Sequence, residues 1–246
     1  MTSDKDIVTN NEILRGLVGS TAHGINIIGQ DDRDETGIFI EPPQNVCGLE
    51  PLDHYIWRTQ PNGVRSGPGD LDLTMYSLRK FCRLAAKGNP SVMILLWLPE
   101  YINITDEGKM LVKARDCFVS REAGERFLGY LIAQKQKMKG EKAHTVSRPE
   151  LVAKYGYDTK FAMHALRLGF EGVELMRSGT LTLPVAEPNL TTLRAMRVGE
   201  INAADALRLI EETESTLRAL VEHCQWDADT AGINRLMVDL HSRHWR

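Results

Sequence analysis

Residues 17–39, LVGSTAHGINIIGQDDRDETGIF, constrain this chain more than any other stretch. An apolar run ends at Gly19-Ser20, a short segment follows, and Asp32 and Asp34 stand two apart before a second apolar run. Side chains two apart on an extended strand share a face, so extension over 32–34 brings both carboxylates to one side. A Gly-Ser turn opening a helix presents unpaired backbone N–H groups and the positive end of the helix dipole, which suits a phosphate. Phosphate cradle and paired carboxylates together are the minimum equipment for metal-assisted phosphoryl or nucleotidyl transfer. Without their neighbours, the same residues also read as a plain helix cap at Ser20 and turn acids in an acidic run over 31–35.

Around this stretch, residues 1–10 read as a loose end or a short helix, and 13–18 as a buried strand. Residues 20–28 have room for about two helical turns, with Ser20 or Thr21 as cap. Residues 29–31 are turn-like, and 36–40 form a second strand stopped by Pro42-Pro43. Further on, 54–58 read as a strand, 61–63 as a turn and 66–69 as a flexible approach. Residues 70–73 alternate polar and apolar, as a half-buried strand does. A helix is expected over 74–87, where Leu78, Phe81, Leu84 and Ala85 recur at helical spacing, with Gly88-Asn89-Pro90 closing it. Residues 92–98 fit a core strand or a buried helix, and Asn89 as cap with Pro90 at the first position favours helix.

Helices are expected over 105–118, 120–139, 148–154, 158–178, 202–223 and 227–241, with a short strand candidate at 180–183. Strand signals therefore concentrate early and helical periodicity dominates later. This predicts an α+β region over residues 1–104 and a mostly helical region over 105–246.

Composition sets outer bounds. The 246 residues are 42% apolar and 26% charged, ordinary for a soluble globular chain. With a net charge of −3, contact with nucleic acid has to come from a local patch. The four cysteines, Cys47, Cys82, Cys117 and Cys224, form no C-x-x-C pair, which favours a reducing compartment over a zinc site or disulfide framework. The polar start MTSDKDIVTN has the character of neither a signal nor a transit peptide. The apolar run 92–98 is far below the roughly 20 residues that span a bilayer. The expectation is a cytoplasmic protein with no membrane partner.

A two-metal nucleotidyl transfer needs more than Asp32 and Asp34. Magnesium takes only one or two carboxylates per ion, so two ions call for about three well-placed carboxylates. Spacing leaves Asp70 and Asp72 as equal candidates for the third, which belongs near the attacking hydroxyl. Lys160, His164 and Arg167 lie at i, i+4 and i+7, hence on one helical face, and three such groups suit a triphosphate or a nucleic-acid backbone. The same three also read as a surface stripe paired with Glu171 or Glu174, and His23 reads equally as a packing histidine.

Four ordered blocks give the chain a family likeness. Gly19-Ser20 is followed by His23-Gly24, and Asp32-x-Asp34 by Gly37. Asp72 precedes Tyr76-Ser77-Leu78-Arg79-Lys80-Phe81, and Gly88-Asn89-Pro90 follows. Tyr157-Asp158, Lys160, His164 and Arg167-Leu168 make the last block. The set resembles the DNA polymerase beta-like nucleotidyltransferase superfamily, and within it a phage and bacterial branch associated with RNA repair.

The resemblance implies an α+β nucleotidyltransferase fold, a small mixed sheet with flanking helices, followed by a mostly helical C-terminal region contributing to nucleotide and acceptor binding. It selects Asp72 over Asp70 and implies Asp32, Asp34 and Asp72 as catalytic and metal-binding residues. The implied cofactors are two Mg2+ ions, with Mn2+ as substitute. Gly19, Ser20, His23, Lys160, His164 and Arg167 fall on the nucleotide side. The implied partners are a nucleoside triphosphate and a nucleic-acid 3′ end, with RNA such as tRNA ahead of a DNA end. A protein or small-molecule hydroxyl, nuclease action at the same site, or a non-catalytic binding module are the alternatives. Two departures stand out. Arg33 and Glu35 replace residues often apolar in the family's strand, which predicts that the strand's other face is exposed. Ile94 stands where the branch often has an acid.

Overall fold

A computed structural model of the chain describes residues 3–27, 29, 31–61, 63–64, 66–141 and 148–246. Ile28, Gln30 and Asn62, which the sequence puts at a helix end and in two turns, lie outside the described residues. The chain divides into two compact units. The first comprises Met1–Lys87, Ser91–Phe118 and Ala228–Arg246, and the second Gly88–Pro90 and Val119–Asp227.

The first unit opens with α1 (Asp4–Asn10), whose N-cap Ser3 and Asp6 cap each other reciprocally. Next come β1 (Glu12–Leu17), the four-residue α2 (Gly19–Ala22), β2 (Arg33–Phe39) and α3 (Pro43–Cys47). Strands β3 (His54–Arg58) and β4 (Leu71–Ser77) lead into α4 (Leu78–Ala86). After α5 (Pro90–Met93), a 3-10 turn at Ile94–Trp97 and the short β5 (Asn103–Ile104) precede α6 (Asp106–Lys113). The five strands form one mixed sheet in the order β3-β4-β2-β1-β5. Only β2 and β4 pair in parallel.

The second unit is helical: α7 (Arg121–Met138), α8 (Pro149–Tyr155), α9 (Thr159–Ser178), α10 (Asn189–Arg197) and α11 (Ala203–His223). Helices α7, α9 and α11 pack on one another through Phe127, Leu131, Leu166 and Leu217, all essentially buried. Gly172 of α9 permits the approach, since a Cβ there would lie 2.7 Å from Leu217. The last helix, α12 (Thr230–His244), belongs to the first unit.

Several sequence expectations shift. The strand at 70–73 continues to Ser77 and the helix begins at Leu78, because Thr74, Met75 and Tyr76 pair with Thr36, Gly37 and Ile38 of β2. Ser77 then caps α4 by accepting from the Lys80 amide. The helix expected over 20–28 stops at Ala22, and Gly24 follows at φ 72°. Residues 92–97 are helical but split between α5 and the 3-10 turn, and Leu98 is extended, with Ile94 4% exposed in the core. Residues 180–183 form no strand, although Leu181 and Leu183 are buried. Helix α10 was not expected.

The other face of β2 is exposed at Arg33 but not at Glu35. Glu35 is 3% exposed, accepting from Arg15 Nη1 at 2.9 Å and Arg33 Nε at 2.6 Å. Arg15 also pairs with Glu12, which accepts from Asn103 of β5. A polar network thus covers Glu35 on this face.

Candidate active site

Parallel pairing of β2 with β4 sets Asp34 opposite Asp72, and Asp32 lies just ahead of β2. One carboxylate oxygen from each of Asp32, Asp34 and Asp72 lies within 4.8 Å of the others, and all three residues are half-buried. Among the described residues this is the one cluster of three or more acidic, His or Cys groups that close. An all-oxygen, all-anionic donor set fits a hard divalent cation such as Mg2+ or Mn2+, and fits a thiophilic metal poorly.

The segment from β1 to β2 is shaped around this cluster. Val18 donates its amide to Asp34 O at 3.0 Å. Gly19 follows at φ 61°, and a Cβ on it would lie 2.1 Å from Asp34 Oδ2. Glycine is needed there for conformation and for space. Ser20 sits half-buried in α2, and its carbonyl accepts from Ile25 N at 3.0 Å. His23, immediately after α2, is 3% exposed. Asp31 accepts from Ile27 N at 2.7 Å, which ties down the chain entering β2. Since α2 has only four residues, its dipole is small, and any anion held there is held chiefly by backbone N–H groups.

Asp72 has the most elaborate surroundings. Gln60 Nε2 donates to its Oδ1 at 2.8 Å, Ser66 Oγ to its Oδ2 at 2.7 Å, and Arg58 Nε lies 3.3 Å from Oδ1. Burial pushes the Asp72 carboxyl upward, but the hydrogen bonds from Gln60 and Ser66 and the charge of Arg58 outweigh it and leave it below the ordinary value. Asp70 serves another purpose. It accepts from Thr59 Oγ1 at 3.0 Å and from Gly67 N at 2.9 Å, tying the β3–β4 connection together.

Sequence reasoning missed Arg58, Gln60 and Ser66. Ser66 falls in a stretch read as a flexible approach. The antiparallel register sets Arg58 opposite Asp72, and the fold of the β3–β4 connection brings Gln60 and Ser66 to it.

The remaining candidates, Lys160, His164 and Arg167, lie on α9 of the second unit, and all are half-buried. Arg167 Nη1 pairs with Glu171 Oε2 at 2.7 Å, and that carboxylate side chain is 2% exposed. Asp158 caps α9 by accepting from the amides of Lys160 and Phe161, and Tyr157 donates to Ile201 O at 2.6 Å. Tyr157 and Asp158 of the last block are therefore engaged in holding the start of α9.

The model of the RNA repair pathway DNA polymerase beta family (RlaP) matches residues 6–232. No curated protein matches the chain. Among solved structures, a nucleotidyltransferase-like protein from Exiguobacterium sibiricum 255-15 is 11% identical, with a TM-score of 0.32 over 98% of this chain and 76% of that one. At that score the likeness adds nothing to the family match. No helix among the described residues is long and apolar enough to cross a membrane.

Proposed function

The chain belongs to the RNA repair pathway DNA polymerase beta family and is a polymerase beta-like nucleotidyltransferase; from that premise we propose that it transfers a nucleoside monophosphate from a triphosphate to the 3′-hydroxyl of an RNA end, with Mg2+ or Mn2+. One observation carries the proposal: three carboxylate oxygens within 4.8 Å, from β2, β4 and the residue just ahead of β2, with Gly19 packed against Asp34.

In this reading Asp32, Asp34 and Asp72 would hold the divalent ions, two of them by the carboxylate count, with Asp72 on the acceptor side. When bound, the ions would supply Lewis-acid stabilisation of the charge that develops in the transfer. Backbone N–H groups at Gly19 and Ser20, backed by His23, hold the triphosphate tail. Lys160, His164 and Arg167 contact triphosphate or acceptor phosphates. Asp72 is ionised at neutral pH and accepts hydrogen bonds only, so it orients the acceptor hydroxyl and receives its proton. The acceptor oxygen then bonds to the α-phosphorus as the α–β bridging bond breaks, and pyrophosphate leaves. Residues 1–104 are assigned the chemistry and 105–246 a share of nucleotide and acceptor binding.

Incubation with labelled triphosphates, Mg2+ or Mn2+ and a mixed RNA, DNA and protein pool tests this. Labelled RNA is the expected product, and Asp34→Asn is expected to lose at least about a hundred-fold in rate, since even outer-shell partners of a metal are worth 10–100-fold. Labelled protein, shortened ends, or an Asp34→Asn variant as active as the parent would each replace the proposal.

A further inference from the structure

The partners of Asp72 form a closed set when their protons are counted. The Gln60 amide carries two protons on Nε2, and the Ser66 hydroxyl carries one. Gln60 Nε2 lies 2.5 Å from Ser66 Oγ and 2.8 Å from Asp72 Oδ1, while Ser66 Oγ lies 2.7 Å from Asp72 Oδ2. Three protons meet three acceptor positions, and both carboxylate oxygens are acceptors. The opposite amide orientation would aim the Gln60 carbonyl at the carboxylate, so the network itself fixes the flip. The arrangement is satisfied only when Asp72 is ionised.

The two donors are themselves held. Gln60 is 9% exposed, and Thr59 beside it donates its amide to Leu71 O at 3.2 Å and accepts from Leu71 N through Oγ1 at 2.9 Å. On the other limb, Asp70 N donates to Gly67 O at 3.0 Å, and Asp70 returns a carboxylate to Gly67 N. The connection between β3 and β4 is thus tied on both sides, next to Gln60 and next to Ser66. A competing orientation for Asp72 is also at hand. Arg58 reaches Oδ1 through Nε, and its guanidinium is a fork suited to taking both oxygens of a carboxylate. A carboxylate turned fully onto Arg58 is a poorer metal ligand.

We infer that Gln60 and Ser66 are positioning residues, a bracket that holds Asp72 aimed at Asp32 and Asp34 rather than at Arg58. The inference rests on the proposed metal-binding role of the three aspartates. Each oxygen keeps lone-pair capacity beyond the bond it accepts from the bracket, so the bracket orients the carboxylate without consuming it. Ser66→Ala opens the ring at one oxygen, and Gln60→Ala opens it at the other and releases Ser66. Gln60→Glu sets a carboxylate against Asp72 and acts more severely than the alanine.

Binding of Mn2+ alone to the full chain, followed by the electron paramagnetic resonance of the free ion, tests this without turnover. The parent is expected to bind Mn2+ and Asp34→Asn to lose binding. Gln60→Ala and Ser66→Ala are expected to weaken it by about 10–100-fold, the usual scale for removing a partner of a metal ligand. Ser66→Thr, which keeps the hydroxyl, restores the parent affinity. Thermal melting of each variant separates the role from simple folding support. Parent-like Mn2+ affinity in Gln60→Ala and Ser66→Ala overturns the bracket while leaving the metal reading intact, whether or not their melting temperatures fall. A parent that binds Mn2+ no better than Asp34→Asn overturns the metal reading and the bracket with it.

Discussion

Gly19 and Asp34 come so close that one residue's identity protects the other's position. A methyl group at position 19 would sit 2.1 Å from Asp34 Oδ2, so the carboxylate has to leave the cluster. The backbone at φ 61° adds about 1–2 kcal/mol of strain for an L side chain. Gly19→Ala is therefore expected to lose roughly a hundred-fold in kcat, since a misplacement of about 1 Å costs that much. Its stability should fall only by the strain. Rate measurements with labelled triphosphate and a denaturant melt separate the two effects. A variant with parental kcat removes Gly19 from the site. Glu35 carries the complementary lesson. Its sequence position suggests an exposed face, yet it is buried because Arg15 and Arg33 reach it from β1 and from its own strand. That pairing was not legible, because Arg15 lies 20 residues away and meets it only through the strand register.

At the scale of elements, α12 is fastened to the sheet unit by a buried ion pair. His241 Nε2 lies 3.2 Å from Glu41 Oε2, with the side chains 9% and 0% exposed. Trp245 Nε1 donates to Glu41 O at 2.8 Å, His244 meets Asn11 at 2.9 Å, and Arg79 of α4 stands 3.8 Å from the same carboxylate. Burial pushes Glu41 upward, but hydrogen bonds from His241, its own backbone and Ser77 leave it lowered. Burial pushes His241 downward, but its bonds to Glu41 and Met237 O leave it raised, against the opposing charge of Arg79. A lowered carboxylate stabilises the fold above its unfolded value of 4.5 and ceases to do so as pH falls through its folded value. A raised imidazole stabilises it below 6.5 and ceases to do so as pH rises through its folded value. The pair's contribution is thus fully present between 4.5 and 6.5 and declines on both sides. His241→Gln is expected to cost less than the about 3–5 kcal/mol of a fully stranded buried charge in that window, because it removes the nearer cation of Glu41 and leaves only Arg79 at 3.8 Å. The difference between parent and variant in urea unfolding should shrink toward alkaline pH, and a flat difference rules the pair out as the cause.

The elements themselves were legible to unequal degrees. Strands β1 and β2 and the long helices announce themselves by periodicity and caps. Thr74-Met75-Tyr76 was misread because a β-prone triplet abutting a helical repeat carries no local boundary, and pairing with β2 decides it. Helix α10 offers only Leu193 and Met196 as buried residues among polar neighbours, too sparse a pattern to predict from. In the site, Asp32, Asp34 and Asp72 are legible from their motifs. The partners of Asp72 are not, because Gln60 and Ser66 reach it only through the fold of the β3–β4 connection.

For the whole molecule the governing number is charge. With 30 Lys and Arg against 33 Asp and Glu, the chain offers a polyanion no general attraction. Binding of the proposed RNA acceptor must then come from a few local cations and should show a shallow salt dependence. For a single strand, the logarithm of affinity falls with the logarithm of salt by about 0.7 for each phosphate neutralised. If Lys160 meets one acceptor phosphate, Lys160→Ala lowers that slope by about 0.7 and weakens all acceptor sequences alike. Arg167 also pairs at 2.7 Å with the buried Glu171. Its replacement by alanine removes one partner of that buried carboxylate and is expected to lower stability, by at most about 3–5 kcal/mol, whatever it does to binding. Titrating a labelled single-stranded RNA at several salt concentrations, with melts of both variants, distinguishes the two residues. A parental salt slope in Lys160→Ala would take that lysine out of the acceptor's path, and with Arg167 committed to Glu171 the cation for the acceptor would have to be sought elsewhere.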